Sequence, residues 1–285
     1  METLSVLILT ANEEMNIAKC LESISPMGAK VFIVDSFSED RTVEIARSMG
    51  AVVLQNPWTT YADQFNWGLD HAGIDTDWVM RMDADEEIMP DLAEAICDFL
   101  SAPPADVSGV YVRRRVYFMG RWIRHGGYYP TWLLRIFRRD AGRCEALWMD
   151  EHIVLNSGKA IEIKQDIIDK NNKNLTFWTD KHNKYASREV LDIVGKKRQA
   201  KSGVIAGELA SSQASSRRWV KENVYSRIPL FVRPLLYYIY RYFLRLGFLD
   251  GKEGLIFHFL QGFWYRFLVD AKLFEYRKTK QTSDD

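Results

Sequence analysis

Residues 79–88, VMRMDADEEI, set four carboxylates (Asp83, Asp85, Glu86, Glu87) within five positions, directly after an apolar run. Alternate residues of an extended chain lean to one side, so Asp83 and Asp85 can reach the same point. Two anions that close raise each other's pKa unless a cation comes between them. A hard divalent ion, Mg²⁺ or Mn²⁺, takes oxygen ligands from one or two carboxylates and from substrate phosphates. The chemistry open to this stretch is therefore a metal clamp for a diphosphate. Other polar residues also follow apolar runs: Thr10, Asn12 and Glu13 after 4–10, and Asp35 within 30–36. Helix capping accounts for Asn12 and Asp40. It accounts less well for Asp35 and Asp83, which end apolar runs.

These side chains need strands to carry them. LSVLILT (4–10) is a continuous apolar run, as expected of a strand buried on both faces. KVFIVDS (30–36), AVVLQN (51–56) and DWVMRMD (77–83) read the same way. Between them lie three helical patterns. The first is capped by Asn12 with apolar residues at 17, 20, 21 and 24. The second is capped by Ser38 or Asp40 and ended by Gly50, and the third covers 59–73. Strand and helix alternating at this spacing predict a parallel sheet with right-handed crossovers. Its ligand site is expected at the carboxyl ends of the strands, where the polar residues cluster. A further helix follows Pro90, and 107–120 and 132–139 read as strands of a second, mixed half of the sheet. A helical region begins near 171.

The chain has 285 residues, 47% of them hydrophobic, which suits one large domain or a domain with an appendage. Its net charge of zero hides an asymmetry. Residues 1–100 hold 19 Asp and Glu against 5 Lys and Arg, a net of −14, and the rest of the chain carries +14. Three widely spaced cysteines, Cys20, Cys97 and Cys144, match neither a disulfide framework nor a zinc site, and point to a reducing compartment. The N-terminus has no basic segment ahead of its short apolar run, so a signal peptide is not expected. No stretch of about 20 residues is free of charge, so neither is a transmembrane helix. Neither a G-x-G-x-x-G nor a G-x-x-x-x-G-K-[ST] stretch follows the first strand, which removes the main support for dinucleotide and P-loop readings.

Taken together, LILTANEE (7–14), VDSFSEDRT (34–42), YADQFNWGLDHA (61–72) and DWVMRMDADEE (77–87) resemble the family 2 glycosyltransferases. The resemblance is strong over residues 1–90 and looser over about 110–190. It implies an α/β fold of GT-A (Rossmann-like) type: a mixed, mainly parallel sheet flanked by helices. It also implies a nucleotide-diphosphate sugar donor, with a UDP-sugar favoured. Thr10, Asn12, Glu13 and Asp35 would line the base and ribose pocket, Asp83 would sit by the ribose and metal, and Asp85 would hold Mg²⁺ or Mn²⁺. Transfer with inversion needs a base for the acceptor hydroxyl. The subgroup that builds bacterial lipopolysaccharide core and capsule glycans usually carries His-Glu after the second half of the sheet. Here that place is EALWMDEHIVLNSG (145–158), which puts Glu151 in the base role and Asp150 where the histidine stands. RHGGYYPTWLLRIFRR (124–139) is also similar to that subgroup, and makes Arg135 a candidate diphosphate contact, since Arg binds phosphate bidentately. FWTDKHNKYA (177–186) resembles a helix that orders over the donor, with Lys181 and Tyr185 on one face.

The C-terminal composition is different. SRIPLFVRPLLYYIYRYFLRLGFLDG (226–251) and GLIFHFLQGFWYRFLVDAKLFEYRK (254–278) are the most apolar stretches, broken by Arg233, Arg241, Arg245, His258 and Arg266. Basic residues among Tyr, Trp and Phe suit helices lying in a membrane interface with their cationic side chains snorkelling outward. A buried helical hairpin or an oligomer interface is the alternative. The resemblance agrees with the membrane, since relatives in the subgroup act on lipid-linked glycan acceptors at the cytoplasmic face. No nucleic-acid module accompanies the basic residues. QASSRRW (213–219) misses the Q-x-x-R-W spacing of processive synthases by one residue, so one sugar per binding event is expected. The expected organisation is a catalytic domain over 1–200, with a donor half (1–100) and an acceptor half (101–200). A helical, membrane-associating region over 201–285 follows, and the protein is peripheral on the inner face of the cytoplasmic membrane. The rival expectation is a non-catalytic sugar-nucleotide or membrane-binding protein of the same fold.

Overall fold

The computed structural model describes residues 2–145, 152–202 and 225–284. Two compact units form, one from residues 1–120 and 129–172, the other from 121–128 and 173–285. The expected boundary at residue 200 falls inside a helix, Leu175–Ser202.

In the first unit, strands and helices alternate as β1 (Leu4–Thr10), α1 (Ile17–Ile24), β2 (Lys30–Asp35), α2 (Thr42–Ser48), β3 (Val52–Gln55), α3 (Tyr61–His71) and β4 (Trp78–Asp83). Then come β5 (Glu86–Ile88), α4 (Pro90–Ser101) and β6 (Val107–Phe118), and the two-residue β7 (Arg121–Trp122) lies in the second unit. The first unit resumes with β8 (Thr131–Arg138), β9 (Gly142–Cys144), β10 (Ile153–Leu155) and β11 (Lys159–Lys170). The main sheet runs β3-β2-β1-β4-β8-β6-β11-β5. β1 to β4 are mutually parallel, β8 is antiparallel to both neighbours, and β11 is parallel to β6. The expected mixed, mainly parallel sheet is present.

Both faces of the sheet are covered, which is why the early strands are apolar throughout. Val6, Ile8, Ile33, Met80 and Met82 pack with Ile17, Cys20, Leu21 and Ile24 of α1 and Leu92 and Ile96 of α4. The alternate residues Leu7, Phe32, Val34 and Val79 pack with Ala62 and Phe65 of α3. Gly68 lets α3 approach closely, because a Cβ there would stand 2.7 Å from a methyl of Val34. The apolar stripe of α1 falls at the expected positions, but the helix starts at Ile17, not just after Asn12. Asn12 adopts a left-handed φ of 56°, a conformation asparagine tolerates, and its side chain serves a neighbouring loop instead of capping the helix.

The second unit holds α5 (Leu175–Ser202), α6 (Val232–Ile239), α7 (Gly251–Phe257) and α8 (Tyr265–Asp284), with π-helical turns at 240–244 and 258–264. Ala186 and Val190 of α5 pack on Tyr265, Val269 and Leu273 of α8. Residues 121–128 are bound into this unit by Asp250, which accepts from the backbone N–H of Arg124 and His125 and lies 2.6 Å from His125 Nδ1.

The cations that interrupt the apolar C-terminal stretches do not all face outward as expected. Arg233 is buried and pairs with Asp270 (2.8 Å), and Arg241 is buried, donates to the Gly126 carbonyl (2.6 Å) and lies over the Tyr128 ring. Arg266 pairs with Glu189 at 2.9 Å, and His258 is fully buried. Arg245 is exposed. A buried guanidinium needs an anion or carbonyl partner, and each inward Arg has one.

Lys181 and Tyr185 share a face of α5, the ammonium 5.7 Å from the ring centroid. Between them His182 stacks on Trp178, and burial lowers its pKa to about 4. The folded protein thus resists a proton that the unfolded chain accepts near pH 6.5. Stability should be complete above that value and fall by about 3 kcal/mol as the pH drops towards 4. His182→Gln should flatten this part of the curve of chemical-denaturation midpoint against pH, and an unchanged slope in the variant would refute the assignment.

Candidate active site

Sheet register brings the predicted residues to one rim. Thr10 pairs with Asp35, Leu9 with Asp83, and Asp35 with Gln55, so the carboxyl ends of four adjacent strands lie level. Thr10 and Asp35 are both buried, and the Thr10 hydroxyl donates to Asp35 at 2.8 Å. The Asp35 carboxylate also accepts from the Ser38 backbone N–H and hydroxyl and from the Gln55 amide (3.2 Å). It therefore organises the loop that follows its own strand, as a saturated buried carboxylate does.

That loop is stitched to the loop after β1. The Asn12 N–H donates to the Ser38 hydroxyl (2.8 Å), and Asn12 Oδ1 accepts from the Glu39 N–H (2.8 Å). The Glu13 N–H donates to the Thr42 hydroxyl (2.7 Å), and the Glu14 N–H to Asp40 (3.1 Å). Glu13 Oε2 accepts from the Asn16 amide at 2.7 Å. The expected donor-side residues Thr10, Asn12, Glu13 and Asp35 thus belong to one hydrogen-bonded rim.

Half-buried Asp83 sits at the edge of an ionic network whose other members, Arg135 and Glu86, are buried. Its Oδ1 accepts from the Tyr61 hydroxyl (2.7 Å) and its Oδ2 lies 3.2 Å from Arg135. Arg135, almost fully buried on β8, also contacts Glu86, whose other oxygen accepts the Asp83 N–H at 2.9 Å. Arg81 donates to the Tyr61 hydroxyl (3.0 Å) and stacks over its ring. The two guanidinium groups face the Asp83 carboxylate and the Glu86 carboxyl, which makes the burial of Arg135 tolerable. Burial alone would raise the Asp83 carboxyl, but Arg135, Arg81 and Tyr61 outweigh it and hold it well below the usual carboxylate range. At Glu86 burial wins over Arg135, with Asp83 adding to it, and the carboxyl is pushed up to about 8. Asp83 therefore keeps its negative charge at neutral pH.

Asp85 occupies the turn between β4 and β5 and is half-buried. Its Oδ2 accepts from the Asn171 amide at 2.8 Å, and its carbonyl accepts the Lys170 N–H at 2.9 Å. The next residue, Asn172, donates twice to Asn16 Oδ1 (3.0 and 3.1 Å). A chain of side chains thus runs from Glu13 through Asn16 and Asn172 to the segment that holds Asp85.

Asp150 and Glu151 lie outside the described residues. The strands flanking them do not: β9 and β10 pair with Cys144 opposite Ile153, and the Glu145 N–H donates to the His152 carbonyl at 3.0 Å. Asn66 of α3 holds this hairpin from the side, donating to the Cys144 carbonyl (2.9 Å) and accepting its N–H (3.0 Å).

The sequence alone does not single out Tyr61, Arg81, Asn16, Asn66, Asn171 and Asn172, and it places Glu86 in the acidic cluster without a role of its own. One signal was available: Arg81 is a lone charge inside an apolar strand, and such a residue needs a buried partner.

Comparison with known proteins agrees with this architecture. The family model described as Glycosyl transferase family 2 matches residues 5–162. An uncharacterized glycosyltransferase of Rickettsia typhi is 38% identical over 96 residues, 34% of this chain and 32% of that protein. The lipopolysaccharide core biosynthesis glycosyltransferase LpsC of Rhizobium meliloti is 33% identical over 150 residues, 49% of this chain and 52% of its own length. These matches span from about a third to about half of the curated relatives. Among solved structures, mannosyltransferase PcManGT from Pyrobaculum calidifontis, in complex with GDP-Man and Mn²⁺, has a TM-score of 0.57 at 14% identity. That likeness covers 96% of this chain and 87% of the other, and it shows the fold to be GT-A. With the family model spanning more than half of the sequence and the acidic rim set on the strand ends of that fold, the chain belongs to glycosyl transferase family 2.

Proposed function

We propose that this protein transfers one sugar, with inversion, from a nucleotide-diphosphate sugar to a lipid-linked glycan in cell-surface polysaccharide or lipopolysaccharide synthesis. It does so at the inner face of the cytoplasmic membrane, as a peripheral protein held by its C-terminal region. The observation that carries the reading is the rim itself: Thr10, Asp35 and Asp83 end adjacent parallel strands, with Asp85 in the turn immediately beyond. The name of the LpsC relative and the GDP-Man and Mn²⁺ of the PcManGT complex support the acceptor and donor classes. A UDP-sugar is the favoured donor.

The residues fit a hard divalent cation. Among the described residues no three His, Cys, Asp or Glu side chains gather into a cage. That suits Mg²⁺ or Mn²⁺, which complete their shells with phosphate oxygens and water. Asp85, oriented by Asn171, is the first ligand, and Asp83, held in its charged form by Arg135, Arg81 and Tyr61, is the second or the ribose contact. When bound, the cation offsets the charge developing on the diphosphate leaving group.

The protein's own groups do the rest. The loops after β1 and β2 hold the nucleotide. The acceptor hydroxyl attacks the anomeric carbon from the face opposite the diphosphate, the new C–O bond forming as the old one breaks. Glu151 takes the hydroxyl proton.

A screen of UDP- and GDP-sugars with Mn²⁺ and membrane extract, reading released nucleoside diphosphate, tests the proposal. One sugar nucleotide should give acceptor-dependent release, and Asp85→Ala should lower it roughly a hundredfold. Equal release by the variant would remove Asp85 from the metal site. No release from any donor would reject the proposal.

A further inference from the structure

Residues 231–259 are folded inside out. On α6 and the π-turn after it, Arg233, Tyr237 and Arg241 recur at every fourth position and point inward: the two arginines are buried, and Tyr237 bonds Arg241 at 2.6 Å. The opposite stripe, Val232, Leu235, Leu236, Ile239, Tyr240, Phe243 and Leu244, is exposed, Phe243 at 53% and Leu244 at 73%. Its spacing (i, i+3, i+4, i+7, i+8) is that of a helix face made to contact something apolar. Leu255, Ile256 and Phe259, from α7 onward, are exposed in the same way, and Tyr238 joins the two segments by edge contact with Phe259. So large an apolar surface is foreign to a protein that meets only water.

We infer that this face is seated in a lipid bilayer, in the plane of the interface, with its side chains reaching the hydrocarbon boundary. The inference rests on the membrane-bound part of the reading above and gives it a different physical basis: apolar insertion, with the arginines serving the interior. Three observations favour lipid. Among the described residues no helix is long and apolar enough to cross a membrane, so the face lies on the bilayer. The exposed charges of residues 231–260 are Arg245 and Lys252, both cations, while Glu253 is half-buried and lies towards Arg121 (3.9 Å) and Asp250 is buried. Those cations complement anionic headgroups, whereas in a two-fold dimer they would bring like charges into a shared patch. The stripe also carries Tyr240, whose amphipathic ring favours the interfacial layer, and Phe243, whose apolar ring suits the hydrocarbon boundary.

Co-sedimentation of the full chain with vesicles tests this. The vesicles contain phosphatidylethanolamine and phosphatidylglycerol but no glycan, so the readout is independent of sugar transfer and of the donor assay. The wild type should pellet and stay largely bound in about 1 M NaCl, where surface attraction is screened. The double variant Phe243→Asp/Leu244→Asp, altered only at exposed positions and checked by circular dichroism, should bind at least about tenfold more weakly. Vesicles of phosphatidylcholine alone should hold the wild type less strongly but measurably. Binding by the double variant equal to wild type would overturn the inference, as would complete release by salt. It would also fall if the wild type ignored vesicles and formed a dimer that the double variant made monomeric.

Discussion

Glu151→Gln should lower turnover by about 10²–10⁴-fold and leave donor affinity unchanged. The amide matches the carboxylate in shape but cannot take the acceptor's proton. On the proposed function, nucleotide binding belongs to the rim at the ends of β1, β2 and β4, so calorimetry with the nucleoside diphosphate should give wild-type affinity. The hairpin base, paired through Glu145 and His152 and gripped by Asn66, keeps its hydrogen bonds in the variant. Asp150→Asn is the companion measurement and should cost far less. If it instead carries the larger loss, the base is Asp150. A non-catalytic sugar-nucleotide binder would show no difference in release between either variant and the wild type.

Arg135→Leu should destabilise the protein by about 3–5 kcal/mol, the range for breaking a buried pair from one side. The substitution takes the shared cation from buried Glu86 and half-buried Asp83, and only Arg81, acting partly through Tyr61, remains near Asp83. For a domain of this size the melting temperature should fall by roughly 10 °C. Arg135→Lys, which keeps charge but loses the planar fork, should fall between. Thermal melting without ligand separates this role from the diphosphate contact expected of Arg135. A residue used only for phosphate would melt as wild type when replaced and would lose donor affinity alone.

The donor half is legible in the sequence because β1, β2 and β4 are buried on both faces, whereas β3, read the same way, is a partly exposed edge strand. Continuous apolar runs of six or seven residues, each ending in a polar residue, mark both the strand and the rim. Sheet order was not legible beyond β4. β8 enters between β4 and β6, and β11 pairs with β5, through contacts that no local pattern encodes. The same holds for partners of charged residues. Alternation places Arg135 on one face of β8, but nothing local says that Glu86, 49 positions earlier, waits there. Asn12 is not the N-cap its position suggests, because an Asn before a helical stripe has two uses, and here its left-handed backbone and side chain serve the neighbouring loop. In the C-terminal region, composition showed apolar and basic residues together without showing which way each pointed. The four-residue spacing of Arg233, Tyr237 and Arg241 held that information, and helical periodicity applied to the cations instead of the apolar residues would have shown an inward stripe.

The link from Asn172 back to Asn16 bears on how the protein is made. Asn16 leaves the ribosome 156 residues before the partner that bonds its side-chain oxygen. At ordinary rates of synthesis that interval is roughly 8–30 s. β4 lacks its neighbour until β8 (Thr131–Arg138) emerges, and the acidic turn stands without Asn171 almost to the end of that interval. The nascent donor half therefore emerges as a half-sheet with an open edge, and it is sealed only when the last strand of the unit arrives.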